Sequence, residues 1–166
     1  PDEISPLSGV ELVKQKVSRL VSMTNAAWPE VVANNFNYDM DPLASARVTA
    51  TCPVPIHASP DGTRVITGAS LSDRLPADHP LRLSYETYME GERRGRSSWD
   101  LLALYYVLEP DSGCFTATPR GRLCYEQESR RTWWRDEQGR ADREVRLAIP
   151  PEEMAARLEE LLVMGE

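Results

Sequence analysis

Two short runs carry the residue types that could do chemistry. The first is Asn35-Phe36-Asn37-Tyr38-Asp39-Met40-Asp41-Pro42. Asn37 sits four residues before Asp41, and its side-chain amide offers both a donor and an acceptor. A polyol such as ribose presents hydroxyls that need both. The same run also reads as plain structure: Asp41-Pro42 as a helix N-cap followed by proline at the first helical position, Phe36 as core, and the asparagines as turn residues. The second run is Ser98-Trp99-Asp100, a lone carboxylate ahead of an apolar stretch. Asp100 is either a partner of the helix dipole or a hard oxygen ligand suited to Ca²⁺, an ion that gathers roughly 6–8 oxygens. One aspartate does not define such a site.

The elements that must position these residues follow from spacing. Ser8 or Gly9 opens a first helix, with Val10, Val13, Val17 and Leu20 at helical intervals. Leu20, Val21 and Met23 then read as a short buried strand. Residues 25–34 form a loop broken by Trp28-Pro29. A second helix runs from Pro42 to about Thr51, and a strand follows near 54–58. Asp61-Gly62 is a turn signal ahead of a β-type run over 64–67. A third helix begins at His79-Pro80, with Leu81, Tyr85, Tyr88 and Met89 on one face. Residues 91–98 form a basic, glycine-containing loop, and Trp99 to Leu108 is an apolar helix. Short strands are expected at 114–118, 123–127, 131–135 and 144–148. Pro151 opens a last helix whose buried stripe is Met154, Leu158, Leu161 and Leu162. The alternation of helix and strand in the first two thirds predicts an α/β fold: an open, mostly parallel, Rossmann-like sheet, with a small antiparallel β appendage and a C-terminal helix.

Composition bounds the function. A chain of 166 residues with 41% hydrophobic and 27% charged residues can bury the core of one globular domain. A net charge of −7 disfavours a general binder of nucleic acid or anionic membrane, since both need a positive face. No run approaches the roughly 18 apolar residues of a membrane span. The three cysteines, Cys52, Cys114 and Cys124, have no metal-ligand spacing and read as thiols of the interior. The chain begins at Pro1 without a methionine, and Asp2 and Glu3 do not start a signal peptide. It therefore reads as the later part of something longer, with the compartment left open.

Taken together, several segments resemble the C-terminal half of the inosine-uridine preferring nucleoside hydrolase family. Ser5-Pro6-Leu7 through Lys16-Val17 to Met23 is similar to the helix and strand before that family's substrate loop. Asn35-Phe36-Asn37, Asp41-Pro42, Ala44 and Ala46 resemble its Glu-Phe-Asn…Asp-Pro-Glu-Ala-Ala motif, and Ser98-Trp99-Asp100 with Ala103 resembles its later His-Asp-Pro…Ala motif in a Ser-Trp-Asp variant. The resemblance implies the family's fold over nearly the whole chain. It also implies hydrolysis of the N-glycosidic bond of ribonucleosides by water activated on Ca²⁺, through a transition state like an oxocarbenium ion. By position, Asn37 and Asn35 would bind substrate, Asp100 would ligate Ca²⁺, and Trp99 would face the base or sugar. The family's aspartate-rich amino-terminal motif, which supplies the general base and most metal ligands, has no counterpart here. Asn35 replaces the family's glutamate, and Trp99 replaces the histidine that protonates a purine. The implied catalytic base thus belongs to a preceding part, residues 1–166 are the later part of the domain, and this chain alone would be inactive.

Other readings stay in play. A non-catalytic sugar or nucleoside binder on the same fold would keep Asn37 and Asp100 and lack the base. A structural module would use exposed apolar surface to join subunits, and an assembly of identical copies fits either case. Trp99 also reads as core packing, and His79 before Pro80 as a helix cap. Glu92-Arg93-Arg94-Gly95-Arg96 reads as a solvated loop or a lid. Trp133-Trp134 among arginines fits an edge hairpin with one indole inward better than a nucleic-acid surface. A sheet cut after its first strands should also leave an apolar edge and helix face exposed.

Overall fold

A computed structural model describes residues 3–164; Pro1 and Asp2, on which the reading of the chain's start rests, lie outside the described residues. In chain order the elements are α1 (Gly9–Lys16), β1 (Leu20–Ser22), β2 (Val32–Ala33), α2 (Phe36–Asp39), α3 (Pro42–Thr51), β3 (Ile56–Ala58), β4 (Ile66–Thr67) and α4 (Leu71–Arg74). They continue with α5 (Pro80–Tyr88), β5 (Arg96–Ser97), α6 (Trp99–Leu108), β6 (Phe115–Ala117), β7 (Arg122–Glu126), β8 (Arg131–Arg135), β9 (Arg143–Leu147) and α7 (Pro151–Val163). The chain divides into two compact units. The first comprises the chain through Pro60 and Thr116–Arg146, and the second Asp61–Phe115 and the chain from Leu147 onward.

The architecture is mixed α/β. The main sheet has the order β1-β3-β9-β6. β1 pairs with β3 in parallel, Leu20 opposite Ile56, and β3 pairs with β9 in parallel, His57 opposite Arg143. A mostly parallel sheet is present, but only β1 and β3 of it come from the alternating first two thirds; β9 and β6 come from the stretch expected to form the antiparallel appendage. An antiparallel sheet, β2-β8-β7, belongs to the first unit, and the β4-β5 ribbon to the second.

Local chemistry sets the helix starts. Ser8 and Glu11 form a capping box at α1: the Ser8 amide donates to the Glu11 carboxylate at 2.7 Å, and Ser8 Oγ accepts from the Glu11 amide at 3.4 Å. Asp41 caps α3 by accepting from the Ala44 amide at 3.0 Å, with Pro42 at the first helical position. His79 Nδ1 accepts from the Leu81 amide at 3.2 Å at the start of α5, so His79 is the cap that its place before Pro80 suggested. Replacing Asp41 with alanine is expected to cost about 1 kcal/mol, the usual worth of such a cap. Chemical denaturation reads that loss, and an unchanged midpoint would show that the cap contributes nothing.

Each unit has its own core. In the first, Ile56, Ala58, Ala26 and Leu123 are buried, with Leu20, Cys52 and Trp134 packed against them. Ile56 and Leu123 are both 0% exposed, and full burial of such side chains contributes roughly 1.5–3 kcal/mol each. In the second, Val65, Leu102, Cys114, Met154 and Leu158 form the core, so α6 and α7 supply most of it.

Several expectations are corrected. α1 ends at Lys16, short of the spacing that ran on to Leu20; it has no buried residue, and Val10 and its C-cap Val17 are exposed. Phe36 is 76% exposed rather than core. The single turn of α2 turns one ring inward, and that ring is Tyr38, whose hydroxyl is satisfied by Ser22 and whose edge meets Tyr125 at 5.3 Å. The 25–34 loop contains β2, and the 91–98 loop contains β5. α4 was not foreseen. Leu161 and Tyr88 are exposed. Neither β9 nor β6 is part of the antiparallel appendage, since both join the main sheet, β9 beside β3 and β6 beside β9. Of the cysteines, only Cys114 is fully buried; Cys52 and Cys124 are half-buried, and all three are free thiols.

Candidate functional site

In the first unit, the 35–41 run is fastened to the carboxyl end of β1. The Asn37 side-chain amide donates to the Met23 carbonyl at 2.9 Å. Asn35 Nδ2 donates to Thr24 Oγ1 and, at 3.1 Å, to the Asn25 carbonyl. The Tyr38 and Ser22 hydroxyls are bonded at 3.1 Å, and Thr132 Oγ1 donates to the Asn25 carbonyl at 2.8 Å. Asn34 takes a left-handed backbone, φ 60°, which asparagine tolerates better than most residues and which turns the chain into the run. The result is a loop pinned by four neighbouring residues, Ser22 to Asn25.

The two asparagines differ in what they offer. Asn35 is 1% exposed and spends its amide hydrogens on protein, so it holds the loop in place. Asn37 is exposed, and among the described residues its amide oxygen accepts no hydrogen bond. Behind them, the Tyr125 hydroxyl donates to Asp39 at 2.7 Å. Burial, then the Asp39 carboxylate, push the Tyr125 pKa up to about 12, so its proton stays in place across the physiological range. Burial also raises the Tyr38 pKa, with the Ser22 and Thr24 hydroxyls acting the other way.

Trp99 and Asp100 stand at the start of α6 in the second unit. The Trp99 indole N–H donates to Thr63 Oγ1 at 3.2 Å, and Thr63 Oγ1 donates to Asp61 at 2.6 Å. Gly62 lets this turn lie against the helix start, because a Cβ there would fall 2.7 Å from the Trp99 backbone nitrogen. Ser98 Oγ is buried and bonded to Thr67 Oγ1 at 2.7 Å. Asp100 is exposed in the first turn of α6. It lines a cavity of about 340 Å³ with Tyr85, Tyr88, Arg96 and Leu101. Trp99 lines a second cavity of about 500 Å³, together with Ile66, Tyr88, Glu90, Arg94 and Arg96.

The structure thus brings Asn35 together with Asn37 in one unit, and Trp99 together with Asp100 in the other. Tyr85, Tyr88 and Arg96 were not singled out as site residues. The signal for them was the aromatic spacing of α5 followed by the basic run, which reads more simply as a helix face and a solvated loop. Trp134 is the inward indole of the β7-β8 hairpin and meets Trp28 edge-on at 5.3 Å. No described helix is long and apolar enough to cross a membrane.

A Ca²⁺ site can be tested against the donors present. Among the described residues, no group of three or more His, Cys, Asp or Glu side chains is arranged to hold a metal ion. Asp100 supplies a single carboxylate, so this chain's described residues do not by themselves fit a complete Ca²⁺ site. No protein-family model matches the chain, and no curated protein matches it.

Proposed function

We propose that this chain is the substrate-loop part of a nucleoside hydrolase-like protein, an N-glycosyl hydrolase of ribonucleosides, with the nucleoside hydrolase variant of the parallel α/β fold. The reading rests on the resemblance of the two motifs, and one observation carries it furthest. Asn37 is held by the Met23 carbonyl at the carboxyl end of a parallel strand, with its amide oxygen open to solvent. Ligands of open α/β sheets bind at that end of the strands. In this reading Asn37 positions a ribose hydroxyl, and Asn35 acts by fixing the backbone from which Asn37 projects. By the resemblance alone, Trp99 would contact the base or sugar. It carries no titratable proton for a leaving purine, so substrates whose base departs without that help are favoured.

Asp100 would give at most one oxygen ligand or two to Ca²⁺. The remaining ligands and the general base are assigned to a part of the domain outside these residues. Binding of ribonucleosides to the full-length protein containing this chain tests the Asn37 role. Replacing Asn37 with alanine is expected to weaken binding roughly tenfold, the worth of one or two hydrogen bonds at about 0.5–1.5 kcal/mol each. Unchanged affinity in a folded variant would remove Asn37 from the site.

A further inference from the structure

Arg96 stands apart from its neighbours. Of the three arginines at 93, 94 and 96, Arg93 is paired with Asp73 at 2.7 Å and Arg94 with Glu92. Among the described residues, no carboxylate lies within 4 Å of the Arg96 guanidinium. Its guanidinium carbon sits 3.8 Å from the centre of the Tyr88 ring. Such stacking fixes the plane of the group and leaves its N–H edges free to donate in that plane. The same side chain lines both cavities of the second unit.

The backbone under Arg96 is also held. Arg96 pairs with Thr67 in the β4-β5 ribbon. Gly95 allows that ribbon to close, because a Cβ there would fall 2.6 Å from Ile66 Cγ2 and 2.7 Å from the Thr67 carbonyl oxygen. The cation is therefore fixed at its base by a strand and at its tip by an aromatic ring. A preorganised arginine fork facing open space matches the two oxygens of a carboxylate or phosphate.

We propose that Arg96, braced by Tyr88, anchors an oxyanion: the phosphate or carboxylate group of a small ligand in these cavities. The inference stands on the second unit alone and does not depend on the nucleoside reading. Asp100 in one cavity and Glu90 in the other limit the ligand to one such group. Their carboxylates repel further negative charge and accept hydrogen bonds from neutral hydroxyl or amine groups. With a net charge of −7 on the chain, anion binding here must come from the local geometry and not from the general field.

The test is a titration of the full-length protein with inorganic phosphate and, separately, acetate, followed by the arginine Nε–H resonances. The expected result is a saturable shift of the Arg96 signal, with a dissociation constant on the order of 1–10 mM for an isolated ion. Tighter phosphate binding assigns the site to phosphate esters, and tighter acetate binding to carboxylates. Arg96→Lys should weaken binding severalfold, by keeping the charge and losing the fork. Arg96→Ala should abolish it, and Arg93→Ala should leave it unchanged. No saturable shift of Arg96 with either ion would overturn the proposal. So would equal losses in Arg93→Ala and Arg96→Ala, which would report net charge alone. The wild-type titration decides the matter even if a variant fails to fold.

Discussion

Replacing Asp142 with alanine is expected to destabilise the protein by about 3–5 kcal/mol. Asp142 is 0% exposed. Its Oδ1 accepts from the Ile56 amide at 2.8 Å, and its Oδ2 from the Leu123 amide at 3.0 Å. Arg140 Nη2 reaches both oxygens, at 3.1 and 3.0 Å, while Arg140 Nη1 donates to the Cys52 carbonyl at 3.0 Å. One carboxylate therefore ties the start of β3, the β7 strand and the turn before β9. Alanine would orphan two buried amides, at about 1–3 kcal/mol each, and leave a largely buried guanidinium unpaired. Arg140 Nε is already buried without a partner, so the guanidinium has little else to turn to. Folded domains retain only about 5–15 kcal/mol in total, so the loss should be plain in a denaturant midpoint. Asp142→Asn keeps the shape and one acceptor and should lose less. A loss under about 1 kcal/mol for Asp142→Ala would show that the clasp is ornamental.

Replacing Asp100 with alanine is the second large effect, and it falls on binding and turnover rather than on folding. Asp100 is exposed at the first turn of α6, where its removal disturbs no core contact. If it ligates Ca²⁺ in the full-length protein, its loss should lower metal affinity or kcat/KM by about 100-fold or more. Even partners that only orient a metal ligand are worth 10–100-fold, by the usual rough measure. Calcium titration and denaturation of the same variant separate the two roles. Reduced Ca²⁺ affinity with an unchanged denaturation midpoint supports the ligand role. Altered stability with unchanged Ca²⁺ affinity would make Asp100 a partner of the helix dipole and nothing more.

Elements whose signals are local were readable from the residues. The apolar run from Trp99 to Leu108 is α6, Asp41-Pro42 opens α3, and Pro151 opens α7. The destination of β9 was not readable. Its alternation, Arg143 to Leu147, suits a hairpin strand equally well. What places it beside β3 is a long-range pairing next to the Asp142 clasp, which joins residues 86 apart in sequence. Phe36 and Tyr38 are both aromatic, and only the contacts with Ser22 and Tyr125 choose which turns inward. The same limit applies at the candidate site. Asn37 could be singled out as a candidate by its amide and its distance from the cap, whereas the burial of Asn35 depends on Thr24 and Asn25. Arg96 looked like one charge in a solvated run, and its stacking on Tyr88 depends on β5 pairing with β4, of which only the β4 run was expected.

The most direct measurement is nucleoside hydrolysis by the full-length protein containing this chain, assayed with Ca²⁺ and again after chelation. The account predicts release of free base and ribose from at least one ribonucleoside, lost on chelation and sharply reduced by Asn37→Ala. Binding of ribonucleosides without turnover under any of these conditions would contradict the enzymatic claim and leave a sugar-binding protein. Neither binding nor turnover of any ribonucleoside would contradict the nucleoside reading altogether.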